Sequence, residues 1–160
     1  MRIQRLQVPA FGPFTHLDFQ FPEQSCDLHV IYGANEAGKS SLLRAIRDLL
    51  FGIHGQSADN FLHPYPNLRI QGEIRNRAGD QLVFQRRKGN KNTLLKEDGT
   101  QLPDNALAPF IGSVDQPYFS AMFGLGAYSD ANRTPIRFEV GQRSDSKRTV
   151  FRLKSDSRPG

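Results

Sequence analysis

The sequence predicts an α/β fold, a mixed sheet with antiparallel hairpins set around one helix, and three observations predict it. A short apolar, β-prone run at 28–32 (LHVIY) leads through a glycine-punctuated loop at 33–41 straight into a helical pattern. Before that run, Leu17, Phe19 and Phe21 alternate with Asp18 and Gln20, the period-2 mark of a half-buried strand. After the helix, 69–77 and 81–87 read as two strands around a turn of Asn76, Arg77, Ala78, Gly79 and Asp80.

In chain order, 1–8 forms a first strand that ends in the turn PAFGPF at 9–14, and the strand carrying Leu17, Phe19 and Phe21 follows. Residues 22–26 turn the chain into the run at 28–32. In the next helix, Leu42, Ile46, Leu49 and Ile53 recur at helical spacing, while Arg44, Arg47 and Asp48 fall mostly on the other side, and Gly52 is the stop. Residues 55–67 make a loop in which His63 and Tyr65 interleave with Pro64 and Pro66; packing is the more ordinary role for such a loop, with ligand contact the alternative. Beyond the hairpin, Leu94, Leu95 and Leu102 flank a second turn at 96–99. Residues 104–111 suggest a short helix capped near Asp104, its end blurred by Pro109. A further helix at 115–123 is expected to bury Tyr118, Phe119, Met122 and Phe123.

The loop carries chemistry. Gly33, Ala34, Asn35, Glu36, Ala37, Gly38, Lys39 and Ser40 fit G-x-x-x-x-G-K-[ST] without a mismatch. Glycines at those positions let the backbone turn its N–H groups inward as a nest for phosphate. Lys39 would reach the β- and γ-phosphates of a nucleotide, the Ser40 hydroxyl would sit on Mg²⁺, and the helix N-terminus would add free N–H donors.

Composition bounds the rest. The 160 residues suffice for one domain with a sizeable core. No apolar run approaches the ~20 residues of a membrane span, and the first residues have no secretory pattern. Cys26 is the single cysteine, which excludes an internal disulfide and suits a reducing cytoplasm. His16, His29, His54 and His63 show no metal-ligand spacing. The net charge of +5 is unevenly spread: 1–125 holds 13 Lys/Arg against 12 Asp/Glu, and 126–160 holds 8 against 4. The hairpin region is locally basic, with Arg69, Arg75, Arg77, Arg86, Arg87, Lys88 and Lys91. A solvated sheet face explains that more simply than contact with a nucleic-acid backbone, which stays open. From residue 126 onward polar residues dominate, and a poorly ordered basic tail is expected.

The stretch NEAGKSSLLRAIRDLLFG, the opening MRIQRLQVPAFGPF, FLHPYPNLRI and ALAPFIGSVDQPYFSAMFGL together resemble the N-terminal head segment of SMC-like, ABC-type DNA-repair ATPases. YhaN-like proteins, SbcC and RecF are the relatives in mind, and the resemblance covers about 1–125. It implies a P-loop NTPase half-head, the lobe I of ABC/SMC-like ATPases, with ATP and Mg²⁺ as cofactors. By position, Gly33, Ala34, Asn35, Glu36, Ala37, Gly38, Lys39, Ser40 and Ser41 would bind the nucleotide and Ser40 the metal. The turn at 11–14 would lie toward base and ribose. Partners implied are DNA, a complementary C-terminal head segment or a second head, and a nuclease, with no membrane.

The sequence also departs from that family. Where related heads place a Mg²⁺-sensing glutamine, this chain reads Met122, Phe123, Gly124, Leu125. It carries no Ser-Gly-Gly signature, no apolar strand ending in Asp-Glu and no sustained heptads. The expectation is therefore an N-terminal piece of an ATPase with little activity alone. A non-hydrolysing nucleotide-binding module completed by another chain is the alternative, and a small-molecule P-loop kinase a weaker one.

Overall fold

The computed structural model describes residues 1–22, 28–123 and 148–152. Five strands form an antiparallel sheet in the order β2-β1-β4-β5-β6: β1 (Arg2–Phe11), β2 (Phe14–Gln20), β4 (Arg69–Arg75), β5 (Gln81–Arg87) and β6 (Leu94–Leu95). A separate parallel pair joins β3 (Leu28–Tyr32) to β7 (Arg148–Arg152). The antiparallel hairpins are those expected, whereas the parallel component stands apart from them as its own ladder. Three α-helices, α1 (Lys39–Phe51), α2 (Ala108–Ile111) and α3 (Gln116–Met122), and a 3-10 turn at Tyr65–Asn67 complete the described residues.

The β1–β2 hairpin turns on Gly12 and Pro13, with Phe11 opposite Phe14. Gly12 has φ +56°, a left-handed conformation that costs glycine little. Buried positions in β1 run Leu6, Val8, Phe11, a two-residue step followed by a three-residue step. A bulge explains the change of phase. Gln7 pairs with Gln71 and Ala10 with Arg69, so β1 carries one extra residue across Pro9, which has no N–H to give the ladder.

One face of this sheet buries Leu6, Val8, Ile70, Ile74, Phe84 and Leu94, and α1 covers it with Leu42, Ala45 and Leu49. The helix can sit this close because Gly72 in β4 has no side chain: a Cβ there would lie 2.6 Å from Leu49 Cδ2. Arg86, on β5, reaches under the end of α1 and donates to the Leu49 and Leu50 carbonyls at 3.2 and 3.1 Å and to Thr93 Oγ1 at 3.2 Å. Those carbonyls belong to the last helical turn, whose C=O groups have no intrahelical donor. Gly52, at φ +102°, closes the helix through its N–H to the Asp48 carbonyl at 2.9 Å.

Three expectations need correction. The helix expected at 104–111 is confined to Ala108–Ile111, with i-to-i+3 turns before it. Pro109, lacking an N–H, fits only the first helical turn, and Asp104 is no cap. In α3 only Phe119 is buried; Tyr118, Met122 and Phe123 are 57 %, 64 % and 59 % exposed. The helix has seven residues and is N-capped by Asp115, whose carboxylate accepts from the Tyr118 N–H at 2.8 Å; one inward position is all it places against Phe51. Asp48, read as lying away from the core, is wholly buried. Of the stretch expected as a tail, 148–152 forms β7, and the remainder of 126–160 lies outside the described residues.

Candidate functional site

The loop at 33–41 joins the end of β3 to the first turn of α1. Its backbone turns sharply twice, with Glu36 at φ +66° and Gly38 at φ +89°. Gly38 could carry no side chain in any case: a Cβ would sit 2.7 Å from Phe14 Cζ and 3.1 Å from Pro13 Cγ. The β1–β2 turn is therefore packed directly on the loop. The rings of Phe11 and Phe14 are buried, so they serve the core and present no exposed face to a base.

Lys39 lies at the first position of α1 and is exposed. Its ammonium folds back across the loop and donates to the Gly33 carbonyl at 2.8 Å and the Ala34 carbonyl at 2.6 Å. An ammonium has three donors, so one remains for an incoming oxygen. The start of α1 has no side-chain cap and no acid in its first turn, so its leading N–H groups and the positive end of the helix dipole meet no competing carboxylate there. Glu36 and Ser40 are exposed, whereas Ala37 and Ser41 are buried.

Behind the loop lies a network that sequence reasoning missed. Arg44 donates through Nε to Asp59 Oδ2 and through a terminal nitrogen to Asp59 Oδ1, both at 2.7 Å. The same terminal nitrogen donates to Ser41 Oγ at 2.8 Å. The carboxylate of Asp59, hydrogen-bonded to the guanidinium, holds the Arg44 pKa above its ordinary value against the opposing effect of burial. Asp59 also takes the Gly12 N–H on its backbone carbonyl at 2.8 Å. Helical spacing put Arg44 on the polar side, and nothing local marked Asp59 as its partner.

His63 and Tyr65 take the structural role. His63 Nε2 lies 2.9 Å from the Phe14 carbonyl and 3.1 Å from Thr15 Oγ1, and the Tyr65 hydroxyl donates to the Ser57 carbonyl at 3.0 Å. The 55–67 loop thus ties the β1–β2 turn down from outside.

The arrangement fits a nucleotide phosphate chain: uncapped N–H groups, one exposed ammonium and backbone turns concentrated within nine residues. For Mg²⁺ the fit is narrower. Among the described residues no group of three or more His, Cys, Asp or Glu is placed to hold a metal ion, so the exposed Ser40 hydroxyl would share the ion with phosphate oxygens. No helix of the described residues is long and apolar enough to cross a membrane.

No curated protein matches the sequence. Among solved structures, RecF bound to ATP, the recombination mediator of the RecFOR pathway, is 25% identical with a TM-score of 0.44, over 64% of this chain and 28% of its own. An SMC head bound to the C-winged helix domain of ScpA is 19% identical with a TM-score of 0.41, over 62% of this chain and 33% of its own. The SMC head domain from Thermotoga maritima gives 20% identity and a TM-score of 0.39, over 62% and 35%. The chain therefore spans about a third of the length of these structures or less. A sequence model described as the AAA domain matches residues 1–129, most of the chain, and to that AAA domain family the chain belongs.

Proposed function

We propose that this chain is the ATP-binding N-terminal part of an ATPase head that works in DNA repair or chromosome maintenance. The observation that carries the ATP-binding part of this reading is the exposed Lys39 ammonium, folded over the loop at the uncapped start of α1. Backbone N–H groups of the loop and the helix start would hold the β-phosphate. Lys39 would turn its remaining donor to a phosphate oxygen, and Ser40 would hold Mg²⁺. When bound, Mg²⁺ supplies charge that offsets what develops on the transferring phosphoryl group.

Turnover also needs a carboxylate that holds the metal and orients water. In this reading a complementary C-terminal head segment supplies it, and ATP joins the two parts. DNA, a second head and a nuclease are the partners of the assembled protein. A non-hydrolysing module completed by another chain gives the same binding without turnover, so the two readings separate by assay.

Equilibrium titration with Mg·ATP comes first: the wild-type chain binds, and Lys39→Ala loses at least about tenfold in affinity, the scale of one charge-assisted hydrogen bond. Unchanged affinity in the variant would remove the phosphate-loop assignment. Steady-state phosphate release is then measured on the chain alone and with a C-terminal head segment added. Negligible release alone and a rise on addition are expected; strong release by the isolated chain would show a complete site within it.

A further inference from the structure

We propose that Arg44 is a positioning residue of the nucleotide-binding loop, acting through the Ser41 hydroxyl and held in place by Asp59. The inference rests on the reading of 33–41 as a phosphate loop and goes beyond the motif itself. Arg44 lies outside the glycine–lysine–serine pattern, and Asp59 sits in a separate loop beyond the helix.

The geometry is that of a fork. The guanidinium spends Nε and one terminal nitrogen on the two Asp59 oxygens at 2.7 Å, a bidentate arrangement that fixes its plane. From that fixed plane the terminal nitrogen also reaches Ser41 Oγ at 2.8 Å. Asp59 is 2% exposed and is itself anchored, its N–H facing Ser57 Oγ at 3.3 Å and its carbonyl taking the Gly12 N–H at 2.8 Å. The arginine is therefore not a surface side chain that happens to meet an acid. It is clamped from behind.

The consequence falls on Ser41. A guanidinium has no acceptor, so the hydroxyl must be the acceptor in this bond, which leaves its single proton available to some other oxygen. A hydroxyl already bonded to a cation is a stronger donor. At the first turn of α1, one residue beyond Ser40, the ligand chemistry that suits such a donor is a nucleotide phosphate oxygen. The turn is part of the same unit: a Cβ on Gly12 would lie 3.0 Å from Asp59 Oδ1 and 3.4 Å from Ser41 Cβ, so the β1–β2 turn, the loop and the acid are packed without slack.

A purely structural staple between α1 and the 55–67 loop would move stability and leave nucleotide affinity to follow it. The test therefore measures both on the full chain: Mg·ATP affinity by titration and thermal midpoint without nucleotide, for Ser41→Ala, Arg44→Met, Arg44→Lys and the double variant Ser41→Ala/Arg44→Met. Arg44→Met is expected to lose about tenfold in affinity, with Arg44→Lys failing to restore it, because one ammonium cannot fork two carboxylate oxygens and still reach Ser41. The double variant should be no worse than Ser41→Ala, since Arg44 acts through that hydroxyl. Should Arg44→Met melt too early to titrate, Arg44→Gln replaces it, and Ser41→Ala still tests the hydroxyl with the Arg44–Asp59 pair intact. Wild-type affinity in Ser41→Ala or in the Arg44 variants, full rescue by lysine, or additive losses in the double variant would overturn the proposal while leaving the phosphate loop standing. A wild-type chain that binds no Mg·ATP would instead sink the underlying reading.

Discussion

Asp48 shows at the scale of one residue how burial sets a charge's worth. It is wholly buried on α1, paired with Arg47 at 2.6 Å, and its second oxygen has no hydrogen-bond partner among the described residues. Burial pushes its carboxyl above the ordinary value, and the Arg47 bond only partly opposes that. The folded group then keeps its proton at pH values where the unfolded one has released it. Its contribution to stability is complete below about pH 4, the unfolded range for Asp, and is lost as pH rises through the folded value. Asp48→Asn keeps an acceptor for Arg47 and removes the ionisation. The variant should match or exceed wild-type stability at pH 7, with wild type gaining on it as pH is lowered toward 4. Urea denaturation at several pH values checks this; an equal loss in the variant at every pH would mean that the Arg47 pair, and not desolvation, dominates.

At the scale of elements, α1 is held to the sheet by two devices of opposite kind. Gly72 removes volume so that Leu49 can approach β4, and Arg86 adds donors where the helix runs out of them. Arg86 is itself buried, and desolvation lowers its pKa from the ordinary value. Its cost is offset by three acceptors, two of them carbonyls with no donor from the helix. Arg86→Met preserves much of the volume and abandons those carbonyls. The loss expected is about 3 kcal/mol, from two buried acceptors left unmet at roughly 1–3 kcal/mol each. Denaturant melts measure it directly, and a loss below about 1 kcal/mol would show that water reaches the helix end.

At the scale of the whole molecule, the buried hydrophobic cluster among the residues whose burial is described runs from Leu6 to Leu107, with Phe119 buried beyond it. We propose on that ground a folding unit of 1–125, with 126–160 appended to it, although β7 within the appended stretch pairs with β3. A chain ending at Leu125 keeps every residue of that core and loses the parallel neighbour of the strand that feeds the loop. It should still unfold cooperatively, with weaker Mg·ATP binding than the full chain, because β3 then loses its only described ladder. A broad, non-cooperative melt of the shortened chain would show that β7 belongs to the fold's nucleus.

The sequence by itself determined what depends on neighbours along the chain. The β3 limits, the glycines at 33 and 38 with Lys39 between loop and helix, the Gly52 stop and the two β4–β5 strands were all legible, because strand alternation, helical period and left-handed turns are local constraints. Tertiary structure decided whatever depends on residues distant in sequence. The Arg44–Asp59 fork, the seat of Gly12 between Ser41 and Asp59, the parallel pairing of β3 with β7 and the outward-facing rings of α3 carry no spacing signal. A polar residue on a helix reads the same whether water or a buried carboxylate faces it. Only the packing of the 55–67 loop against α1 makes Arg44 part of the loop it braces.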